Sequence, residues 1–305
     1  MGKIAFVFSG QGAQYPGMGR DIYENLPQAR AVFDRFEVLR PGTLDQCFRG
    51  DADTLKITSN TQPCMFAMET AVAAALVSGG LRPDAVAGFS LGELSALSCA
   101  GALTVEDGFK LVCRRGEIMQ AACDGVESGM VAVLRLDAAT VEDICKGFSN
   151  VWPVNYNCPG QISVAALKNE LPAFCAAVKE KGGRAMPLKV AGAFHSPLMK
   201  DAARAFAETL KNVTFHAPDI TVYSDRTGKP YSGDMADLLA GQICAPVRWQ
   251  QLIEDMADQG VDRFIEIGPG KTLCGMISRT VKDANVTHCE DMASYNRVLA
   301  EVSAC

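Results

Sequence analysis

The stretch PDAVAGFSLGELSALSCA, residues 83–100, holds a short apolar run of strand type followed by a helix-forming run, with one abrupt turn between them at Phe89-Ser90. A strand that passes straight into a helix through a glycine-flanked turn is the unit from which parallel sheets with crossover helices are built. The flanking sequence repeats the pattern. Residues 3–8 (KIAFVF) are apolar without alternation, as a strand buried on both faces would be, and stop at Gly10. Residues 61–78 (TQPCMFAMETAVAAALVS) carry Pro63 near the start and glycines 79 and 80 after the end, which predicts a helix over that range. Thr104 and Asp107 form a capping pair for a further helix through LVCRRGEIMQAAC. The fold class is therefore α/β with a mainly parallel sheet.

Between 127 and 191 the texture changes. GMVAVLRL reads as strand, AATVEDICKGF as helix, VWPVNYN and QISVAAL as two strands around Cys158-Pro159-Gly160, ELPAFCAAVKEKGG as helix and RAMPLKV as strand. The order β-α-β-β-α-β is that of a ferredoxin-like unit. It predicts a small domain over 127–191, inserted into a larger one made of 1–126 and 192–305. Beyond it lie the helix PLMKDAARAFAETLKN, a helical run from 235 to 260 interrupted at Pro246, and the strand DRFIEIGPG; His216, in NVTFHAPD, is placed at a strand edge.

Composition bounds the function classes. The chain has 305 residues, 29 basic and 35 acidic, a net charge of −6 and 48% hydrophobic residues. That is long enough to bury a large core and too acidic overall for a generally nucleic-acid-binding surface. No uninterrupted apolar run approaches the ~18 residues of a membrane span, and the N-terminus reads as a strand instead of a signal peptide. A cytoplasmic location is expected. The twelve cysteines include no C-x-x-C pair, and with three histidines and no ligand cluster they predict buried, reduced thiols and no zinc.

Gly88-Phe89-Ser90-Leu91-Gly92 fits G-x-S-x-G in the strand–turn–helix setting that such a serine needs. The glycines permit a strained turn that lifts the hydroxyl, the helix directs its positive end at an acyl group, and the N–H of Leu91 is left to donate to an oxyanion. A serine nucleophile needs a base, and the sequence offers His195, His216 and His288. His195 is favoured by its loop setting, after Gly192-Ala193-Phe194 and before Ser196-Pro197, at the return from the small domain. The turn Ser9–Gln14 exposes further N–H groups, but Tyr15 stands where a dinucleotide fingerprint requires glycine. Gly270-Lys271-Thr272 matches a P-loop only at its end, since Ile265 occupies the position of the first glycine. Both nucleotide readings fail.

Six motifs, FSGQGAQ (8–14), GFSLGE (88–93), LVCRRGEIMQ (111–120), GAFHSP (192–197), QICAPVRW (242–249) and EIGPGKTL (266–273), follow one another in an order that resembles the malonyl-CoA:acyl-carrier-protein transacylases and the acyltransferase domains of polyketide synthases. The resemblance runs from about residue 4 to 275. It implies an α/β-hydrolase-like large domain with a ferredoxin-like small domain, and a ping-pong malonyl transfer from malonyl-CoA to an acyl carrier protein without cofactor or metal, by a protein expected to be monomeric. On this sequence the family's nucleophile falls on Ser90, its base on His195, its oxyanion donors on the N–H groups of Gln11 and Leu91, its malonate-binding arginine on Arg115, its histidine-orienting glutamine on Gln242 and its pocket-narrowing aromatic on Phe194. Read without the family, Arg114-Arg115 is a solvated helix face. Phe89 stands where the family commonly has histidine, and Ser9 where it commonly has proline. Lys179, Lys181, Arg184 and Lys189 gather in the small domain as a docking surface for an acidic carrier, or as an ordinary solvated face. A serine hydrolase, esterase or patatin-like, is the alternative function, and an inactive docking subunit a third.

Overall fold

A computed structural model of the chain describes residues 2–303. Its larger sheet has six strands, β1 (Lys3–Phe8), β2 (Ala85–Gly88), β7 (Thr221–Ser224), β8 (Lys229–Pro230), β9 (Val261–Ile267) and β10 (Asn285–Cys289), in the order β10-β9-β1-β2-β7-β8. All neighbours pair in parallel except β7 and β8. β1 lies at the centre, and Ala5 to Phe8 are fully buried, which is why its sequence shows no alternation. Phe8 pairs with Gly88 on one side and Ile267 on the other, so the carboxyl ends of β1, β2 and β9 meet along one edge of the sheet. β2, the next strand of this sheet in the chain, lies on one side of β1, and β9, reached only after β8, lies on the other; open parallel sheets bind ligands at such switch points.

The second sheet comprises β3 (Ser128–Leu134), β4 (Val151–Cys158), β5 (Gln161–Leu167) and β6 (Arg184–Pro187), antiparallel throughout, in the order β4-β5-β3-β6. The helices Ala138–Lys146 and Leu171–Glu180 follow β3 and β5, which is the β-α-β-β-α-β succession read from the sequence. Strand alternation divides its side chains. Val131, Val133, Ile162 and Val164 pack with Val141, Ile144, Phe174 and Val178 of the helices, while Met130, Ala132, Gln161 and Ser163 point the other way, into a cavity against the larger sheet.

The helix Thr58–Ser78 is apolar all round and almost wholly buried, as a central helix must be. It begins three residues before the predicted start and takes Pro63 into its second turn. Met235–Gln242 and Trp249–Asp258 are separate helices, parted at Pro246 as expected. His216 is on no strand: it is exposed in an irregular segment, where its N–H donates to the Ala102 carbonyl. The apolar alternation around it therefore reflects contact of Val213 and Phe215 with the core and not strand pairing. The eleven described cysteines are all free, six of them buried and the rest half-buried; Cys305 lies outside the described residues. No helix among the described residues is long and apolar enough to cross a membrane, and no three of their His, Cys, Asp or Glu side chains are grouped to hold a metal ion.

Candidate active site

Ser90 stands between β2 and the helix Gly92–Cys99 with φ at 54°, a left-handed conformation that costs a non-glycine residue of order 1–3 kcal/mol. Two glycines make the turn possible. A Cβ on Gly88 would lie 1.9 Å from the Gly92 carbonyl carbon, and one on Gly92 would lie 2.4 Å from the Phe8 carbonyl oxygen. The helix start is pressed against the ends of β1 and β2, and nothing larger fits. Gly10 has the same constraint, because its Cβ would meet the Phe89 carbonyl at 2.8 Å. Phe89 itself packs edge-on against Trp249, with ring centroids 5.5 Å apart.

Ser90 Oγ lies 2.7 Å from His195 Nε2. Of the three histidines, His195 is the one that the fold brings to the serine. It too has positive φ, 62°, and is buried. Its Nδ1 lies 2.9 Å from the main-chain carbonyl of Gln242. That bond fixes the tautomer: Nδ1–H donates to the carbonyl, and Nε2 is left with a lone pair facing the serine hydroxyl. The carbonyl is available for a reason legible in the sequence. In a continuing helix it would receive the N–H four residues on, and that residue is Pro246, which has none. Gln242 thus meets the histidine through its backbone and not through its side chain. Burial, and next the charge of Arg115, lower the His195 pKa to about 4, so the imidazole is neutral and able to accept a proton at ordinary pH.

The side chain of Gln242 does something else. Its Oε1 accepts from Arg115 at 2.8 Å, and its Nε2 donates to the Ser90 carbonyl at 2.7 Å and to Glu93 at 2.5 Å. Arg115 lies on the buried face of the helix Val105–Cys123, next to Gly116, where a Cβ would lie 3.1 Å from the backbone of Ser59. Arg114 is the exposed one, paired with Glu117. The Arg115 guanidinium also donates to Gln62 at 3.0 Å and to Ser90 Oγ at 3.2 Å, while its buried Nε has no partner among the described residues. Burial lowers its pKa to about 10, which leaves it cationic. A buried guanidinium that reaches a serine hydroxyl lining a cavity is chemically able to hold an anionic group there.

A cavity of about 260 Å³ opens over these groups, lined on one side by Gln11, Ser90, Arg115 and His195 and on the other by Met130, Asn155, Asn157 and Ser163. Phe194 lines it too. Neither the N–H of Gln11 nor that of Leu91 is hydrogen-bonded among the described residues. Leu91 itself is buried beneath the turn and its side chain does not reach the cavity. The Gln11 side chain is held by Thr58 at 3.2 Å. Sequence reasoning missed Gln62, Glu93, Asp225 and Tyr231, which complete the network. Glu93 closes the GFSLGE motif and was within sight there, whereas Asp225, whose carboxylate accepts the Ser90 N–H at 2.5 Å, carries no local signal.

Residues 5–303 match the family model described as acyl transferase domain. The chain belongs to that family. It is 38% identical over 287 residues to the malonyl CoA-acyl carrier protein transacylase of Bacillus subtilis, covering 92% of this chain and 90% of that one. Among solved structures, the transacylase of the same name from Clostridium perfringens superposes with a TM-score of 0.95 at 36% identity, over 99% of this chain and 98% of the other. A malonyl-transacylase in complex with a type II polyketide-synthase acyl-carrier protein gives 0.94 at 33% identity, over 98% and 99%.

Proposed function

We propose that this enzyme transfers the malonyl group of malonyl-CoA to the phosphopantetheine thiol of an acyl carrier protein, supplying extender units for fatty-acid or polyketide synthesis. The observation that carries the reading is the placement of the buried Arg115 guanidinium 3.2 Å from Ser90 Oγ, at the floor of the cavity, with the serine already bonded to a neutral histidine. The relatives named above carry that activity in their names.

In the first half-reaction His195 Nε2 takes the proton of Ser90 Oγ as the oxygen attacks the thioester carbonyl. The carbonyl oxygen becomes an oxyanion and accepts from the N–H groups of Gln11 and Leu91, each such donor being worth about 10²- to 10³-fold. CoA leaves with the proton from the imidazolium, and a malonyl-serine ester remains. The carrier thiol then gives its proton to His195, attacks the ester, and Ser90 recovers its proton. Arg115 holds the free carboxylate through both steps. Gln242 aims the imidazole by its main-chain carbonyl, and Phe194 narrows the acyl pocket. The scheme routes no step through a cofactor or metal.

The antiparallel sheet, with its order β4-β5-β3-β6, reads as a ferredoxin-like small domain over 127–191, inserted in an α/β-hydrolase-like domain of 1–126 and 192–305. Eleven free thiols suit a reducing cytoplasm. Lys179, Lys181, Arg184 and Lys189 are exposed and make no ion pair among the described residues, which supports a docking surface for an acidic carrier. The hydrolase reading is disfavoured, because an arginine in the acyl cavity serves an anion better than a lipid chain. Intact-protein mass spectrometry after brief mixing with malonyl-CoA, acetyl-CoA and methylmalonyl-CoA tests the function, with Ser90→Ala as control. A malonyl adduct on the wild type alone, discharged by added carrier protein, is the expected result. Free malonate with no adduct would make the protein a hydrolase.

A further inference from the structure

Directly beneath the Ser90–His195 pair the fold buries ionisable groups that the transfer steps leave without a task. Glu93, in the first turn of the helix Gly92–Cys99, and Asp225, just after β7, are both fully buried. Glu93 accepts from the Tyr231 hydroxyl and from Gln242 Nε2. Asp225 accepts from the Ser90 N–H and, at 3.4 Å, from the same Gln242 Nε2, while its second oxygen has no partner among the described residues. The opposite end of that amide accepts from Arg115. A single amide therefore stands between one guanidinium and two carboxylates. The other ionisable groups facing the pair are His195, on the turn after the small sheet, and Tyr231. Arg226 pairs with Asp237 and Arg248 is exposed, so neither neutralises Asp225 from within.

Two carboxylates and one guanidinium buried together cannot all stay charged at little cost, since each isolated charge in the interior is penalised. Burial pushes Glu93 up to about 7, and burial followed by the charge of Glu93 raises Asp225 well above the usual carboxylate range. The interior holds its balance near one cation and one anion. An acyl group that brings its own carboxylate to Arg115 upsets that balance by one negative charge.

Resting on the malonyl reading, we propose that Glu93 and Asp225 are specificity-determining residues: they form the resident counter-charge of Arg115, and a carboxylated acyl group displaces that counter-charge with uptake of a proton from solvent by the pair. No bond to carbon is made or broken in this step. A neutral acyl group such as acetyl requires no such exchange, so the pair ties the choice between the two to pH.

The test is the ratio of single-turnover loading rates from malonyl-CoA and acetyl-CoA between pH 6 and 8.5, read by quenching and intact mass. With its pKa lowered to about 4, His195 stays neutral above pH 6 with either substrate, and the CoA phosphates are common to both, so neither sets the slope of the ratio. The malonyl/acetyl ratio should fall as pH rises, by up to about tenfold per pH unit where one full proton is linked. Asp225→Asn and Glu93→Gln keep an acceptor oxygen in place and should flatten that slope. A merely structural role would slow both loadings alike and leave the slope unchanged, which would overturn the proposal, as would a flat ratio in the wild type. Should either variant fail to fold, binding to Ser90→Ala by calorimetry in two buffers of different ionisation enthalpy decides. Greater proton uptake with malonyl-CoA than with acetyl-CoA supports the pair, and equal uptake sinks it. If no malonyl-serine forms at any pH, it is the transferase reading that fails; normal malonyl loading with a flat ratio defeats only the role of the pair.

Discussion

The two walls of the cavity differ in kind. The wall built on the ends of the parallel strands carries Ser90, His195 and Arg115, each bonded to at least two other parts of the chain and each held by backbone that few residues adopt or by helices that glycine lets approach. The wall built by the antiparallel sheet carries Met130, Ala132, Asn155, Asn157 and Ser163, which are neutral and come from ordinary strand alternation. Asn157 is bonded to Ser163, and its buried Oδ1 has no partner among the described residues. Charge and strain are concentrated on the wall that carries Ser90, and the facing surface is left to shape and neutral polarity. The first wall should therefore resist substitution far more than the second.

Ser90→Ala should give the largest effect, abolishing acyl-enzyme formation with a loss of up to about 10⁶ in turnover by analogy with other serine nucleophiles. Turnover near wild type would remove Ser90 from its role. Arg115→Ala should weaken malonyl loading by roughly 3–5 kcal/mol, because it leaves a buried carboxylate unpaired, and should change acetyl loading little. Equal losses for both, measured as kcat/KM, would show that the arginine only supports the fold. Asn157→Ala, on the other wall, removes one hydrogen bond and should cost about 1 kcal/mol or less in denaturant unfolding. A loss of malonyl loading from Asn157→Ala as large as that from Arg115→Ala would erase the distinction between the walls. Smallest is a shift in pH dependence. With the His195 pKa lowered to about 4, loading should hold through mildly acid solution and fall only as pH drops toward that value. Since the Arg115 charge is one cause of the lowering, Arg115→Ala should move this acid limb to higher pH, and an unmoved limb would mean that burial alone sets it.

How much of this was legible depended on whether the signal was local. Ser90 could be read because strand, glycines and helix are contiguous, and the break at Pro246 because proline acts on its own neighbours. The small sheet could be read because its strands and helices follow one another as short, contiguous runs parted by clear turns, even though β4 shifts register twice against β5. Arg115 required help: as half of an Arg-Arg pair it is ambiguous, and only the tilt of its helix against Thr58–Ser78 decides which arginine is inside. Asp225 and Tyr231 were out of reach, since each meets the turn across more than 130 residues of chain and neither sits in a pattern that marks it. The helices between Arg20 and Arg49 and the short strands β7 and β8 went unassigned for a related reason, being fixed by the surfaces they cover more than by their own periodicity.

The free cysteines give the molecule a set of internal clocks. Buried thiols such as Cys145 and Cys289 are pushed up to about 12, chiefly by burial, so as folded they offer an alkylating reagent almost no thiolate. Each can be labelled only when its element opens. They are spread over both sheets and their covering helices, so the order in which they take up a maleimide would rank the parts of the structure by how often each comes apart.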